Sequence, residues 1–186
     1  MTSDGYAQSW GSGLCGMMAI LNALRVMFGE EALSEDDAGH LQAAMARALE
    51  GTGATDLAGV LFEGGTGRDQ VKRMLRAAKA WTDAKGWLPW RWEPAHPVRG
   101  VSASRFWTGL SLASGGHPRA IVIGFGSDTR RDSDYAPHWT CVEAIGADDL
   151  DLRDSAGYAR VPIADTGIRA EPGWAIQDAF VLSREV

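Results

Sequence analysis

The chain has little cysteine and histidine, and it lacks a motif that would bind a metal. Its two cysteines, Cys15 and Cys141, form no C-x-x-C pair, and its four histidines are scattered. Zinc sites need a closer spacing of ligands than this. A disulfide between the two cysteines would require an oxidising compartment, and residues 1–6 lack the basic and apolar regions of a secretory signal. We therefore expect no metal, no cofactor and no disulfide, and a cytoplasmic location.

Clustered positive charge and long hydrophobic runs are also missing. The formal net charge is -6, and the pairs Lys72-Arg73 and Arg130-Arg131 are the small basic clusters of the chain. Nucleic-acid binding draws its affinity from larger groups of Lys and Arg. No apolar run approaches the length that spans a bilayer. We expect neither a nucleic-acid partner nor a membrane partner.

The composition that remains is typical of a soluble globular protein. The chain has 186 residues, of which 45% are hydrophobic and 23% charged, so it is long enough to bury a sizeable core. No repeat, linker or second core is visible in it. We interpret residues 1–186 as a single domain, and the sequence gives no signal of its oligomeric state.

The first strong pattern is a helix that begins at Cys15. Apolar residues recur at helical spacing from Leu14 to Phe28, and Gly29 ends the pattern. Cys15 is thereby placed in the first turn, where unpaired N–H groups and the helix dipole favour thiolate over thiol. The same N–H groups can stabilise an oxyanion, and Gln8 would supply a side-chain donor beside them.

Helices are predicted in the first half of the chain and strands in the second. The glycines at 64, 65 and 67 indicate a turn that enters a helix, since no phosphate-loop motif follows them. This order predicts an α+β fold. The helical half, which carries Cys15, is expected to pack on a mostly antiparallel sheet. The predicted segments are a helix capped by Ser34 and reaching Leu49, helices over 69–80 and 102–112, and strands over 119–126, from 138 onwards and over 175–182.

Tryptophan is concentrated in residues 81–107, which hold five of the eight. Because Pro89, Pro94 and Pro97 interrupt this segment, we predict that it forms no regular helix. Its large rings are expected to cover the core. The alternative is that they wall a peptide-binding cleft beside Cys15.

A strand that starts at His138 would carry a base. With a period of two, His138 and Thr140 share one face and Cys141 lies on the other. Asp154 reaches the His138 face only if the following hairpin pairs residues whose numbers add to an even value, for instance Gly146 with Leu150. Its carboxylate would then accept a hydrogen bond from the imidazole and fix the tautomer.

These two stretches, residues 8–29 and 119–157, resemble the papain superfamily of cysteine peptidases. In that superfamily a His at a strand start is followed by a turn and then by Asn or Asp with Ser-x-Gly, as in Asp154-Ser-Ala-Gly157 here. Papain carries Asn at the position of Asp154, whereas several bacterial branches, including the C39-like peptidases, carry Asp. The opening Gln8, Cys15-Gly16 and long apolar helix also resemble the C39-like branch, although Gln8 is seven positions before Cys15, one more than usual.

The resemblance implies a papain-like fold with Cys15 as nucleophile, His138 as base, Asp154 as its orienting partner and Gln8 as oxyanion donor. The expected activity is cleavage of a peptide or isopeptide bond in a peptide or protein substrate, through a thioester. An amidase, deamidase or acyltransferase would use the same residues. A catalytically inactive peptide-binding module is the alternative from another class, because a buried Cys alone is usually a small hydrophobe and a lone His on a strand is usually structural.

Overall fold

A computed structural model describes residues 14–50, 66–95, 101–112, 119–125, 138–166 and 176–185. Over these residues the protein has four α-helices and a six-stranded antiparallel sheet, so the predicted α+β class is confirmed. The helices are α1 (Cys15–Phe28), α2 (Glu35–Leu49), α3 (Arg68–Ala84) and α4 (Ala103–Leu112). The strands are β1 (Trp90–Pro94), β2 (Arg119–Phe125), β3 (His138–Ile145), β4 (Asp149–Arg153), β5 (Arg160–Pro162) and β6 (Ile176–Arg184).

The six strands follow the order β1-β6-β2-β3-β4-β5 across the sheet, and every neighbouring pair is antiparallel. β2, β3, β4 and β5 are neighbours in chain order. β6 comes after all of them in the chain but lies between β1 and β2. A strand from the far end of the described sequence therefore lies inside the sheet and joins β1 to β2.

Two cores lie on the two faces of the sheet. One contains apolar residues of α1, α2 and α3 together with Cys141 of β3. The other contains Val142 of β3 and Trp107 of α4. Successive residues of β3 thus point to opposite faces, as the period of two requires, and the sheet separates the helices that precede it from α4.

Local signals explain where the first two helices begin and end. Gly29, with φ of 94°, ends α1 in a backbone conformation that other residues rarely adopt. Ser34 caps α2, because its Oγ accepts a hydrogen bond from the Asp37 N–H at 3.1 Å. Both predictions are confirmed. None of the described helices combines the length and apolarity needed to cross a membrane.

The prediction that the Trp-rich segment forms no regular helix is wrong at its start, because Trp81 lies inside α3, which runs four residues beyond its predicted end. Trp107 lies in α4, which confirms the predicted helix over 102–112. The reason is that Pro89 stands between α3 and β1, outside both elements, so it interrupts neither. The role in the core is confirmed for Trp90 and Trp107, which are fully buried. Each indole N–H donates to a threonine hydroxyl, at 2.7 Å and 2.8 Å respectively.

The hairpin between β3 and β4 has a register different from the predicted one at its turn. Ile145 pairs with Leu150, so the predicted pairing of Gly146 with Leu150 is wrong. A four-residue turn explains the difference, since the Gly146 N–H donates to the Asp149 carbonyl at 2.8 Å. A β-bulge at Glu143 then adds one residue to β3.

Beyond the bulge the required register is restored. Val142 pairs with Leu152 and Cys141 with Arg153, which are pairs whose numbers add to an even value. Continuing this register places Asp154 opposite Thr140, on the face that Thr140 shares with His138. The bulge is therefore what brings the carboxylate to the correct side of the sheet.

Candidate active site

Cys15 is the first residue of α1 and is 6% exposed. The first intrahelical bond runs from the Met18 N–H to the Leu14 carbonyl, at 3.0 Å. No carbonyl of the helix can accept from the N–H groups of Cys15, Gly16 and Met17, and the Leu14 side chain makes no capping bond. The start of the helix thus presents N–H donors with partial positive charge in the turn that contains Cys15.

His138 lies between Cys15 and Asp154. Its Nε2 lies 2.7 Å from Oδ2 of Asp154, and Cys15 is near enough to its ring to raise its pKa. Because Asp154 occupies Nε2, Nδ1 is the ring nitrogen left to exchange a proton with the sulfur. The structure therefore brings together three of the four residues predicted for the site, from the start of α1, the start of β3 and the end of β4. Their catalytic roles stay a prediction.

The electrostatics of the pair favour a charged imidazolium. Burial by itself lowers the pKa of His138, but the hydrogen bonds and charges of Asp154 and Cys15 raise it from 6.5 to about 9. Burial raises the pKa of Asp154, but the hydrogen bond and charge of His138 outweigh it, so the pKa lies below the ordinary value of 3.8. At neutral pH the arrangement holds a proton on His138 and a negative charge on Asp154.

The Asp154 carboxylate is held from several sides, and its side chain is fully buried. Its Oδ1 accepts hydrogen bonds from the N–H groups of Ala156, at 2.7 Å, and Tyr158, at 3.4 Å. The buried Thr140 hydroxyl lies near it and helps to lower its pKa, at a geometry short of a full hydrogen bond. The Tyr158 ring also meets the His138 ring edge-on, with centroids 6.1 Å apart. No sequence pattern predicts the contacts of Tyr158 with His138 and Asp154. The contact of Thr140 was predictable, because Thr140 shares a strand face with His138.

Trp139, the neighbour of His138, connects the sheet to the start of α3. Its indole N–H donates to the main-chain carbonyl of Thr66, and its ring stacks on Phe180 with centroids 5.9 Å apart. Thr66 also lies against the first turn of α1, because a Cβ atom on Gly16 would be 2.9 Å from its Cγ2. No sequence pattern indicates this contact, which places Thr66 beside the first turn of α1 that contains Cys15.

Cys141 differs from Cys15 in its position, since it lies in the middle of β3 and not at the start of a helix. It is fully buried in the core under the helices, and burial raises the pKa of its thiol. His138 pairs with Phe125, whose side chain lies in the core of the other face. The prediction that Cys141 and His138 belong to opposite strand faces is confirmed. Both thiols are free.

The predicted oxyanion donor, Gln8, lies outside the described residues, as do Gly64, Gly65 and Pro97. The part of the site that the structure describes is the triad, the start of α1 and the residues that support them.

Comparisons with known proteins provide no relative from which a role can be transferred. No family model matches the chain, and no curated protein sequence matches it. The geometry and electrostatics of Cys15, His138 and Asp154 are therefore the basis for a functional proposal.

Proposed function

We propose that the protein is a cysteine hydrolase with a papain-like fold, which cleaves a peptide or isopeptide bond through a Cys15, His138, Asp154 triad. The observation that carries this proposal is the chain of contacts from Cys15 to His138 to Asp154 at the N-terminal end of a helix. Each residue alone has a common structural explanation. A thiol, an imidazole and a carboxylate in sequential contact form the arrangement that activates a sulfur nucleophile.

In the proposed acylation step, the Cys15 thiolate attacks the carbonyl carbon of the substrate. The carbonyl electron pair moves to oxygen, and the oxyanion accepts hydrogen bonds from the free N–H groups at the start of α1 and from Gln8. His138 gives its Nδ1 proton to the leaving nitrogen as the C–N bond breaks. An amine departs and a thioester remains on Cys15.

Deacylation reverses the proton transfers. His138, now neutral, accepts a proton from a water molecule as the water oxygen attacks the thioester. The C–S bond breaks, the Cys15 thiolate is regenerated, and the acid product leaves. Asp154 keeps its hydrogen bond with Nε2 through both steps, which fixes the tautomer and stabilises the imidazolium.

The same residues support amide hydrolysis on another substrate, deamidation or acyl transfer. These reactions differ only in the group that leaves and in the nucleophile that resolves the thioester. A peptide or protein is the substrate that the resemblance favours. The cytoplasmic location is likewise part of this proposal, and two free cysteines suit a reducing compartment.

The test is the pH dependence of alkylation at Cys15. Iodoacetamide should modify this residue at a pH well below about 8.5, where a free thiol ionises, and mass spectrometry assigns the modified cysteine. His138→Ala should move the reaction to the pH range of a free thiol. A set of electrophilic peptides that label Cys15 would then identify the preferred substrate class.

Cys141→Ala is the matched control, since it removes the other thiol and leaves the triad unchanged. Its alkylation profile at Cys15 should equal that of the wild type. If wild-type Cys15 reacts only where free thiols ionise and no electrophilic peptide labels it, the hydrolase proposal is wrong and an inactive binding module is the better interpretation.

A further inference from the structure

The residue before Asp154 is placed at a junction of the three elements that carry the triad. Arg153 is the last residue of β4, and its guanidinium is 5% exposed. One nitrogen, Nη2, donates to Glu143 at 3.0 Å, and the other, Nη1, donates to Glu30. Glu143 is the bulge residue of β3, and Glu30 follows α1 directly after Gly29. A single buried cation thereby connects β4 to β3 and to the end of α1.

The main chain of Arg153 makes a further connection to α1. Its carbonyl accepts a hydrogen bond from Nδ2 of Asn22, at 3.2 Å. Asn22 is fully buried and stands seven residues after Cys15. Seven residues are two helical turns, so the two side chains share one face of α1 about 10 Å apart along its axis.

α1 is therefore attached to the strands of the triad at two points on the same face. Cys15 contacts His138 at the first point, and Asn22 contacts Arg153 at the second. Two points along one axis fix both the position and the tilt of a helix. A misplacement of about 1 Å in a catalytic group can reduce a rate about 100-fold, so the second attachment matters for the first.

Arg153 also stabilises the β-bulge that aligns the triad. Without the extra residue at Glu143, the register of the turn would set Asp154 on the face away from His138. The ion pair between Arg153 and Glu143 joins the bulged residue directly to the residue before Asp154. The guanidinium is buried while Glu143 is 41% exposed, so solvent screens this pair less than a pair that is exposed at both ends.

We propose that Asn22 and Arg153 are positioning residues that hold Cys15, His138 and Asp154 in register. This inference rests on the proposed function. In this proposal, Asn22 and Arg153 set the distance between Cys15 and His138. Loss of either side chain should increase that distance while the fold stays intact.

The first variant is Asn22→Leu, which keeps the side-chain volume and removes the donor to Arg153. The measurement is the pKa of the His138 imidazole, followed by NMR, together with the rate of Cys15 alkylation at pH 6. We expect the pKa to move from about 9 towards the ordinary 6.5. The alkylation rate should fall about tenfold or more, because an imidazolium that has moved away from the sulfur no longer stabilises the reactive thiolate.

The matched control is Gln42→Leu, which removes an amide that contacts α1 elsewhere, at the sulfur of Met18. It should lower Tm to some degree without changing the pKa of His138. A second pair of variants covers the case in which Asn22→Leu does not fold. Arg153→Met removes both ion pairs and leaves Glu30 and Glu143 partly exposed to water, whereas Arg153→Lys keeps the charge but loses the forked geometry that reaches both carboxylates.

Arg153→Met should lower the pKa of His138, and Arg153→Lys should restore part of the difference. If folded Asn22→Leu and Arg153→Met both titrate like the wild type, the positioning role is wrong while the hydrolase proposal stands. If wild-type His138 itself titrates at the ordinary pKa, the proposed function fails, and this inference fails with it.

Discussion

The indole ring of Trp139 lies directly on Gly124 of the neighbouring strand. A Cβ atom at Gly124 would be 2.9 Å from two ring carbons of Trp139, closer than packed carbon atoms approach. The ring is held on its other sides by Phe180 and by the carbonyl of Thr66. Any side chain at position 124 must therefore push the residue that follows His138.

We predict that Gly124→Ala destabilises the protein by about 1–3 kcal/mol, as overpacking of a well-filled core does. It should also slow the alkylation of Cys15, because displacement of Trp139 moves His138. Denaturant unfolding and iodoacetamide labelling measure the two effects. Gly39→Ala is the control: its Cβ meets nothing within 4 Å on α2, so it should stabilise the helix by about 0.5–1 kcal/mol. Equal stability of the two variants would contradict the contact between Gly124 and Trp139.

The two cysteines should respond differently to substitution. Cys15→Ala is expected to abolish turnover, because it removes the sulfur that His138 contacts. Cys141→Ala should leave turnover largely intact and lower only the stability, since its thiol is buried on the other face of β3. Assays of an accepted peptide substrate measure both. Equal loss of activity in the two variants would show that the assignment of the nucleophile is wrong.

His138 and Asp154 should also be separable. His138→Ala removes the proton carrier and should reduce turnover to the background rate. Asp154→Asn keeps a side-chain oxygen that can accept from Nε2, and papain itself uses Asn, so substantial activity should remain. The comparison is made by kcat/KM at one pH. If Asp154→Asn is as inactive as His138→Ala, the charge of the carboxylate is essential.

Stability should depend on pH through the same pair. The folded pKa of His138 is raised to about 9 from 6.5, so its contribution is complete below pH 6.5 and is lost as the pH rises through about 9. Asp154 has a lowered folded pKa, so its contribution is present above the ordinary 3.8 and is lost as the pH falls further. Denaturant unfolding of the wild type should therefore show a decline in the free energy of unfolding on the alkaline side.

In Cys15→Ala that alkaline decline should begin at a lower pH, because the contact with Cys15 that raises the pKa of His138 is gone. His138→Ala should lose this component of the pH dependence. An unchanged alkaline decline in both variants would mean that other groups cause it.

Gln8→Ala tests the remaining residue of the predicted site. Loss of one oxyanion donor costs about 2.7–4 kcal/mol of transition-state stabilisation, which is roughly a 100- to 1000-fold reduction in kcat. Alkylation of Cys15 should be unaffected, because iodoacetamide develops no carbonyl oxyanion. Stopped assays of turnover and labelling on the same preparation separate the two. Wild-type turnover in Gln8→Ala would mean that other donors bind the oxyanion.

The start of the site was predictable because it depends on local signals. The apolar spacing before Gly29 and the cap at Ser34 are contained in adjacent residues, and both gave helix boundaries that agree with the structure. The face of Cys141 followed from the period of a strand. Tertiary register was not predictable in this way. The turn shifted the pairing to Ile145, and a bulge at Glu143 corrected it.

The supports of the triad were missed for the same reason. The contact of Trp139 with Thr66 spans 73 residues, and that of Asn22 with Arg153 spans 131. No periodicity or cap encodes a partner so distant in the chain. The helix predicted over 69–80 also ends four residues before α3 does, because the tryptophans and prolines that follow it favour an earlier break.

The position of β6 has a consequence for the order in which the protein is made. Ribosomal synthesis releases this strand after the other five, yet it is the one that joins β1 to β2 and brings Phe180 under Trp139. Until it emerges, β2 has an open edge and the indole beside His138 lacks its stacking partner. Pairings so distant in sequence form late. The contacts around Trp139, and with them the final placement of His138 beside Cys15, are therefore completed only after the last strand of the described sequence has been made.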